Sequence, residues 1–106
     1  MSIYWIVLFI ACITEIAWAV SLKLIQENFN YWIVAASAFL TVLNMVLLSF
    51  SMRGIPVGTA YAVWTGLGAV GLVIVGIIFF GDAATLPRLA FVSLIIIGVV
   101  GLKLVS

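Results

Sequence analysis

The sequence predicts an all-α membrane protein with four transmembrane helices, and three observations lead to this fold class. Hydrophobic residues make up 68% of the 106 residues and charged residues 7%, whereas soluble domains carry about 25% charged residues. Residues 28–52 and 54–81 contain no charged side chain. A helix needs about 20 apolar residues to cross the hydrocarbon core of a bilayer. We therefore predict one transmembrane domain over residues 1–106, with spans at about 3–22, 32–51, 57–80 and 86–105.

We expect all four spans to be helices, and we expect the first span not to be removed as a signal peptide. No Lys or Arg precedes Lys23, whereas a cleaved signal peptide begins with a basic segment. Barrel strands alternate apolar and polar residues, but residues 73–75 and 95–97 are apolar throughout. Pro56 and Pro87 fall at helix starts, where a missing N–H group costs little. The short connections predict consecutive antiparallel helices in a compact bundle.

The composition also excludes several classes of function. A net charge of +1 provides no basic surface for nucleic acid. The single Cys12 cannot form an intramolecular disulfide, and the absence of His argues against a metal or haem site. We therefore expect no cofactor, no metal and no nucleic-acid partner, and membrane lipid as the surroundings. The chain has no plausible nucleophile–base pair, so we expect no enzymatic activity.

The basic residues do not fix the orientation of the chain in the membrane. Lys and Arg in short loops favour the cytoplasm. Arg53 and Lys103 would lie on one side, and Lys23 and Arg88 on the other. Either the chain simply has few charges, or it inserts both ways and opposed copies pair into an antiparallel dimer.

Glu15 is the candidate functional residue, because it lies near the middle of the first span. A carboxylate there costs a few kcal/mol, and intramembrane acids usually serve ion or proton pathways. The alternative is a protonated, hydrogen-bonded packing residue, but no basic residue lies mid-membrane to pair with it. Asn44 in the second span is either interhelical glue or a hydrogen-bond partner that orients Glu15.

Aromatic residues at helical spacing complete a candidate cation pocket. Cys12 and Trp18 lie three positions before and after Glu15, on the same helical face. Tyr61 and Trp64 are also three apart on the third span. A carboxylate supplies charge to a bound cation, and aromatic rings supply cation–π attraction. The alternative is that these Trp and Tyr side chains belong to an interfacial aromatic belt.

The glycines fall into two groups. Gly66, Gly68 and Gly71 lie on different sides of the third span, which favours a helix that bends or that lets neighbours approach from several directions. Gly98 and Gly101 form part of a small-residue face on the fourth span. We expect that face to pack between subunits.

Several motifs together resemble the small multidrug resistance family over essentially the whole chain. They are Glu15 in a four-span chain, the run Pro-Val-Gly-Thr-Ala-Tyr-Ala-Val-Trp-Thr-Gly at residues 56–66, and Gly-Val-Val-Gly-Leu-Lys at 98–103. Residues 18–23 (Trp-Ala-Val-Ser-Leu-Lys) and 101–103 are similar to the guanidinium-exporter branch rather than to the polyaromatic-drug branch. Lys103 marks that branch.

This resemblance implies an antiparallel, dual-topology homodimer in a bacterial inner membrane. Its fourth helices would pair, and a kinked third helix would drive alternating access. Glu15 would be the shared site for protons and a small cation, in a pocket lined by Trp18, Tyr61 and Trp64. If proton and cation compete for Glu15, occupation by one expels the other, and the protein is a proton-coupled antiporter.

Two positions depart from the guanidinium-exporter pattern and leave the substrate open. The branch usually has Gly where this chain has Cys12, and Ser where it has Asn44. Guanidinium and substituted guanidiniums such as guanylurea or a biguanide are therefore rival substrates. The alternatives are a broad exporter of quaternary ammonium and aromatic cations, one subunit of a heterodimeric pair, and a membrane subunit that transports nothing itself.

Overall fold

The chain folds into four α-helices joined by short loops. The computed structural model describes residues 2–106. The helices are α1 (Ile3–Glu27), α2 (Tyr31–Ser51), α3 (Val57–Phe79) and α4 (Leu86–Val105). Each is long and apolar enough to cross a membrane. The predicted four-span, all-α class is therefore confirmed.

The helix ends agree with the predicted spans except at the end of α1. This helix continues to Glu27, where the span was predicted to end at residue 22. Lys23 Nζ lies 3.6 Å from Glu27 Oε1, a spacing of four residues that stabilises a helix beyond its apolar stretch. At the start of α2, the side chain of Asn30 accepts a hydrogen bond of 2.8 Å from the Trp32 N–H group, which caps the helix.

The turn between α3 and α4 is held by a second ion pair. Gly81 adopts a φ of 71° just after α3, a backbone conformation that glycine adopts without steric cost. Arg88 Nη2 lies 3.8 Å from Asp82 Oδ2, and Arg88 Nη1 donates a 2.7 Å hydrogen bond to the Ala83 carbonyl. Pro87 lies in the first turn of α4, as predicted.

The helices pack against one another mainly through α1 and α3. α1 packs against both α2 and α3, and α4 packs against α3. The molecule measures 42 × 35 × 18 Å. The compact bundle stays a prediction, because lipid is as apolar as the side chains and burial of apolar faces between helices has no hydrophobic driving force in a membrane.

Most of the buried residues are small. The buried hydrophobic cluster lies near the α2–α3 loop. None of the twenty residues of α4, all of them described, is buried. Small and polar residues at helix interfaces allow close backbone approach in membranes. The hydrophobic cluster consists of Leu8, Ile55, Ala60 and Val63, and the buried polar residues are Ser21, Ser37, Asn44, Ser51 and Thr59.

Candidate functional site

The carboxylate of Glu15 lies in the interface between α1 and α3. It packs against Gly68, where an added Cβ atom would overlap Glu15 Oε2. Gly68 is buried in the middle of α3. The acid can reach α3 only because this residue has no side chain.

Two buried polar groups near this contact have no hydrogen-bond partner. Within residues 2–106, neither Glu15 Oε2 nor Trp64 Nε1 is paired. Buried polar atoms in proteins are nearly always satisfied, so an unpaired one requires an explanation. One of these atoms is an acceptor and the other a donor. Both are therefore available to a bound ligand or proton.

A cavity of about 140 Å³ opens beside these groups, between α1, α2 and α3. Trp18 and Trp64 face it from α1 and α3, and Asn44 faces it from α2. Glu15 is not among the residues that line it, since its carboxylate lies against Gly68 one helical turn from Trp18. The remaining lining residues are Thr41, Met45 and Leu48.

Tyr61 and Trp64 form an aromatic pair on α3, as their spacing suggested. Their ring centroids are 5.5 Å apart and the planes are inclined by 53°. Tyr61 is 54% exposed and Trp64 only partly so. The pair therefore extends from the covered cavity to the surface of the single chain.

Asn44 makes its observed side-chain contact with a residue that the sequence analysis did not identify. The Thr14 hydroxyl donates to Asn44 Oδ1 and also lies 2.9 Å from the Ala11 carbonyl. Asn44 is 5% exposed, so this bond ties α1 to α2 inside the protein. Thr14 could have been found as a polar residue beside Glu15 at mid-span. The bond leaves the Asn44 NH₂ group free for another partner. Because it joins α1 to α2, it supports the role of Asn44 in holding two helices together.

Cys12 lies on the α3 side of α1, one turn before Glu15. Its thiol is buried and lies 3.9 Å from the Val63 carbonyl oxygen, to which it donates. The side chain therefore fills the α1–α3 interface beside the acid. A Gly at this position would leave that space empty.

Three of the five glycines of α3 face three different neighbours. Gly68 faces Glu15, and Gly71 faces Ile16, where an added Cβ would overlap the Ile16 side chain. A Cβ at Gly66 would lie 2.9 Å from Val99 Cγ2 of α4. These contacts account for the glycines by close approach from several sides. A bend in α3 stays a prediction.

The remaining predicted residues lie on α4. A Cβ added at Gly98 or Gly101 would meet no atom of residues 2–106 within 4 Å. Both therefore lie on an open face of the single chain. Lys103 Nζ lies 4.8 Å from the ring centroid of Trp5, in cation–π geometry, so this lysine contacts α1 rather than the cavity.

Four helices long and apolar enough to cross a membrane, with a half-buried glutamate between α1 and α3 and two indoles beside it, define a small integral membrane protein with an internal polar site. The family model "Small Multidrug Resistance protein" matches residues 3–95, and the chain belongs to that family. A guanidinium exporter of Proteus vulgaris is 47% identical over 104 residues, which cover 96% of this chain and 98% of the relative. Guanidinium exporters of Salmonella typhimurium and Escherichia coli K12 are 46% and 45% identical, each covering 94% of this chain and 95% of the relative. The chain is thus a multi-pass protein of the bacterial inner membrane.

Proposed function

We propose that this protein is a proton-coupled antiporter that exports guanidinium or a small substituted guanidinium cation. The observation that carries the proposal is the unpaired oxygen of Glu15, buried at mid-span against Gly68. A carboxyl group held there at a cost of a few kcal/mol requires a function. Binding a proton or a cation is the function that suits it.

The chemistry around Glu15 suits a guanidinium ion in particular. A guanidinium presents planar N–H donors that can bridge two carboxylate oxygens, and Arg-like cations stack on aromatic faces. Trp18 and Trp64 supply such faces at the cavity, and Tyr61 extends them outward. The relatives at 45–47% identity are themselves named guanidinium exporters, which supports the same substrate class.

Competition for one carboxyl group provides the coupling. A proton or a guanidinium neutralises Glu15. With either ligand bound, the transporter can change between the state open to one side of the membrane and the state open to the other. The empty form carries an uncompensated charge in lipid, and we propose that it does not reorient. Proton entry from one side then drives cation exit from the other.

The proposal includes an antiparallel homodimer. A single chain leaves no residue of α4 fully buried and leaves Gly98 and Gly101 open. A partner packed there would cover this face and bring a second Glu15 to the site. Reorientation of the two subunits would then give alternating access, with Gly66, Gly68 and Gly71 allowing the helices of each subunit to move past one another.

A substituted guanidinium is the second candidate substrate, and the cavity favours it for a specific reason. Met45 and Leu48 form an apolar part of the lining beside the polar Asn44 on α2. A substituent on the cation would lie against these side chains, while the Asn44 NH₂ group could contact a carbonyl such as that of guanylurea. A cation panel that includes guanidinium, guanylurea, a biguanide and tetraalkylammonium ions discriminates these substrates from those of a broad exporter.

The test is transport by purified protein in liposomes with an imposed proton gradient. We expect Glu15→Gln to abolish guanidinium-coupled proton flux, because the amide neither ionises nor binds the cation. Glu27→Gln is the matched control, since Glu27 is an exposed glutamate at the end of the same helix, and it should retain flux. Proton-driven efflux that persists in Glu15→Gln would contradict the mechanism. Flux by the chain alone would also exclude an obligate heterodimer and a non-transporting subunit.

A further inference from the structure

The two ends of the molecule differ in their charges. The antiparallel helices place the α1–α2 and α3–α4 loops together at one end, where both ion pairs lie. At the opposite end the charged side chains are Arg53 and Lys103, and among residues 2–106 no Asp or Glu lies there. This end therefore carries uncompensated positive side-chain charge.

Of these two cations, Arg53 is available to a ligand. Lys103 is already placed over Trp5. Arg53 is exposed, with its guanidinium carbon 5.5 Å from the centroid of the Phe50 ring. Within residues 2–106 its guanidinium forms no ion pair. The Phe50 contact orients the guanidinium and leaves its N–H groups free.

A groove runs from Arg53 along the outer face of α2. Its first part has a volume of about 430 Å³ and includes Ser49 beside Arg53. A second part of about 300 Å³ shares Val46 with the first and continues along the helix, so the two form one continuous surface, which we call the α2 groove. It is lined by Phe39, Val42, Leu43, Met45, Val46, Ser49, Phe50 and Arg53.

The depth of the α2 groove corresponds to one leaflet of a bilayer. The 21 residues of α2 span about 32 Å at 1.5 Å per residue, which matches a hydrocarbon core of about 30 Å. Arg53 follows the end of α2 and so lies at headgroup level. The apolar lining extends back to Phe39, close to the middle of the helix and of the bilayer. The groove is polar at the membrane surface and apolar below it. A phospholipid has the same order, with a polar headgroup above its acyl chains.

We propose that the α2 groove is a binding site for an anionic phospholipid, with the phosphate on Arg53 and one acyl chain along Val46 and Val42. Arginine binds phosphate oxygens through paired N–H donors. The Ser49 hydroxyl lines the same stretch and can donate one further hydrogen bond. The uncompensated charge of this end favours an anionic headgroup over a zwitterionic one.

The test is native mass spectrometry of the purified protein with phosphatidylglycerol and phosphatidylcholine of identical acyl chains. We expect retained adducts with phosphatidylglycerol and few with phosphatidylcholine. Arg53→Gln should weaken phosphatidylglycerol binding about fivefold. Lys103→Gln is the matched control, because it removes the same charge from the same end without touching the groove, and it should leave binding unchanged.

A second variant tests the acyl-chain part of the site independently of charge. Val46→Phe fills the groove where its two parts meet and should weaken phosphatidylglycerol binding while Arg53 remains. Inorganic phosphate and glycerol phosphate should not displace the lipid, since they lack the chain. Circular dichroism and the subunit mass of each variant establish that it is folded.

Three results would overturn the proposal. Equal losses in Arg53→Gln and Lys103→Gln would indicate diffuse electrostatic attraction, and equal binding of both lipids would remove the role of the phosphate charge. Dimers that bind no lipid and dissociate on Val46→Phe would assign the groove to a second copy of the chain. The readout is bound lipid mass, so it stands apart from the proposed transport activity.

Discussion

At the scale of single residues, the contact between Glu15 and Gly68 is the centre of the site. The carboxylate lies where a side chain at residue 68 would otherwise be, so the acid and the glycine depend on one another. Space for the Glu15 carboxylate is therefore a reason for a small residue at position 68, and this reason does not depend on a bend in α3.

Gly68→Ala tests that pairing. Its methyl group would displace the Glu15 carboxylate, and a misplaced reactive group can lower a rate by roughly 10- to 100-fold. We expect a loss of guanidinium-coupled flux in that range in liposomes. Gly58→Ala is the control, because its added Cβ meets no described atom within 4 Å, and it should transport normally. Full activity in Gly68→Ala would contradict the geometry.

The bond between Thr14 and Asn44 gives a second prediction at this scale. Thr14→Val keeps the shape of the side chain but removes the donor to Asn44 Oδ1. Interhelical hydrogen bonds in membrane proteins contribute about 0.5–2 kcal/mol. We expect a loss of stability in that range in detergent unfolding. Thr41→Val should have a smaller effect, because within residues 2–106 the Thr41 hydroxyl bonds only to the Ser37 carbonyl of its own helix.

The sequence indicates candidate residues for the site but not their contacts. Glu15 is a candidate because charged residues are rare in the middle of a membrane span, and Trp18 and Trp64 are candidates because they lie deeper than an interfacial aromatic belt. The contacts depend on how two helices are rotated against each other. A single apolar sequence does not encode this rotation as a pattern, and Thr14 and Gly68 were therefore not linked to their partners.

At the scale of the helices, α4 differs from the other three. It packs against α3, contacts α1 through Lys103 over Trp5, and buries none of its described residues. Its contact with α3 uses Val99 and Ile95 against Gly66, which leaves the side with Gly98 and Gly101 open. That side is the proposed dimer interface.

Gly98→Phe and Gly101→Phe should therefore shift the protein from dimer to monomer. The ring would hold two α4 helices apart at a surface where small residues permit close approach. Native mass spectrometry or cross-linking in mild detergent measures the subunit number. Val100→Phe is the control, because Val100 is exposed on another side of the same helix. Dimers that tolerate both glycine substitutions would place the interface elsewhere.

Helix lengths could be predicted from the sequence, and helix arrangement could not. The bounds of α2, α3 and α4 lie within one residue of the spans expected from apolar length and from Pro at two helix starts. The end of α1 was missed because an exposed ion pair, Lys23 with Glu27, continues the helix past the apolar stretch. The packing of α1 against both α2 and α3 depends on contacts between small residues. The lengths of the loops do not predict which helices make these contacts.

At the scale of the whole molecule, the proposal couples two ligands through one group. If a proton and a guanidinium compete for Glu15, each must weaken the binding of the other by the same factor. A fall in pH favours the protonated acid and hence the cation-free form. The sign is therefore fixed: binding weakens towards acid and strengthens towards alkaline pH.

We expect the apparent Kd for guanidinium to rise about tenfold for each unit by which the pH falls, once Glu15 is mostly protonated. At high pH the Kd should become constant. Tryptophan fluorescence should report binding, because Trp18 and Trp64 line the cavity. In Asn44→Ser the slope should persist, since Asn44 does not carry the proton, while the preference between guanidinium and guanylurea should change. A Kd independent of pH would show that the proton and the cation do not compete for one group, and it would contradict the proposal.

The most direct measurement of the central claim is the number of protons released when guanidinium binds. Purified protein in weakly buffered detergent solution is mixed with guanidinium, and a pH-sensitive dye records the change. We expect proton release that approaches one per bound cation where Glu15 is protonated beforehand, falls towards zero at high pH, and is absent in Glu15→Gln. Guanidinium binding to the native protein without proton release at any pH would contradict it.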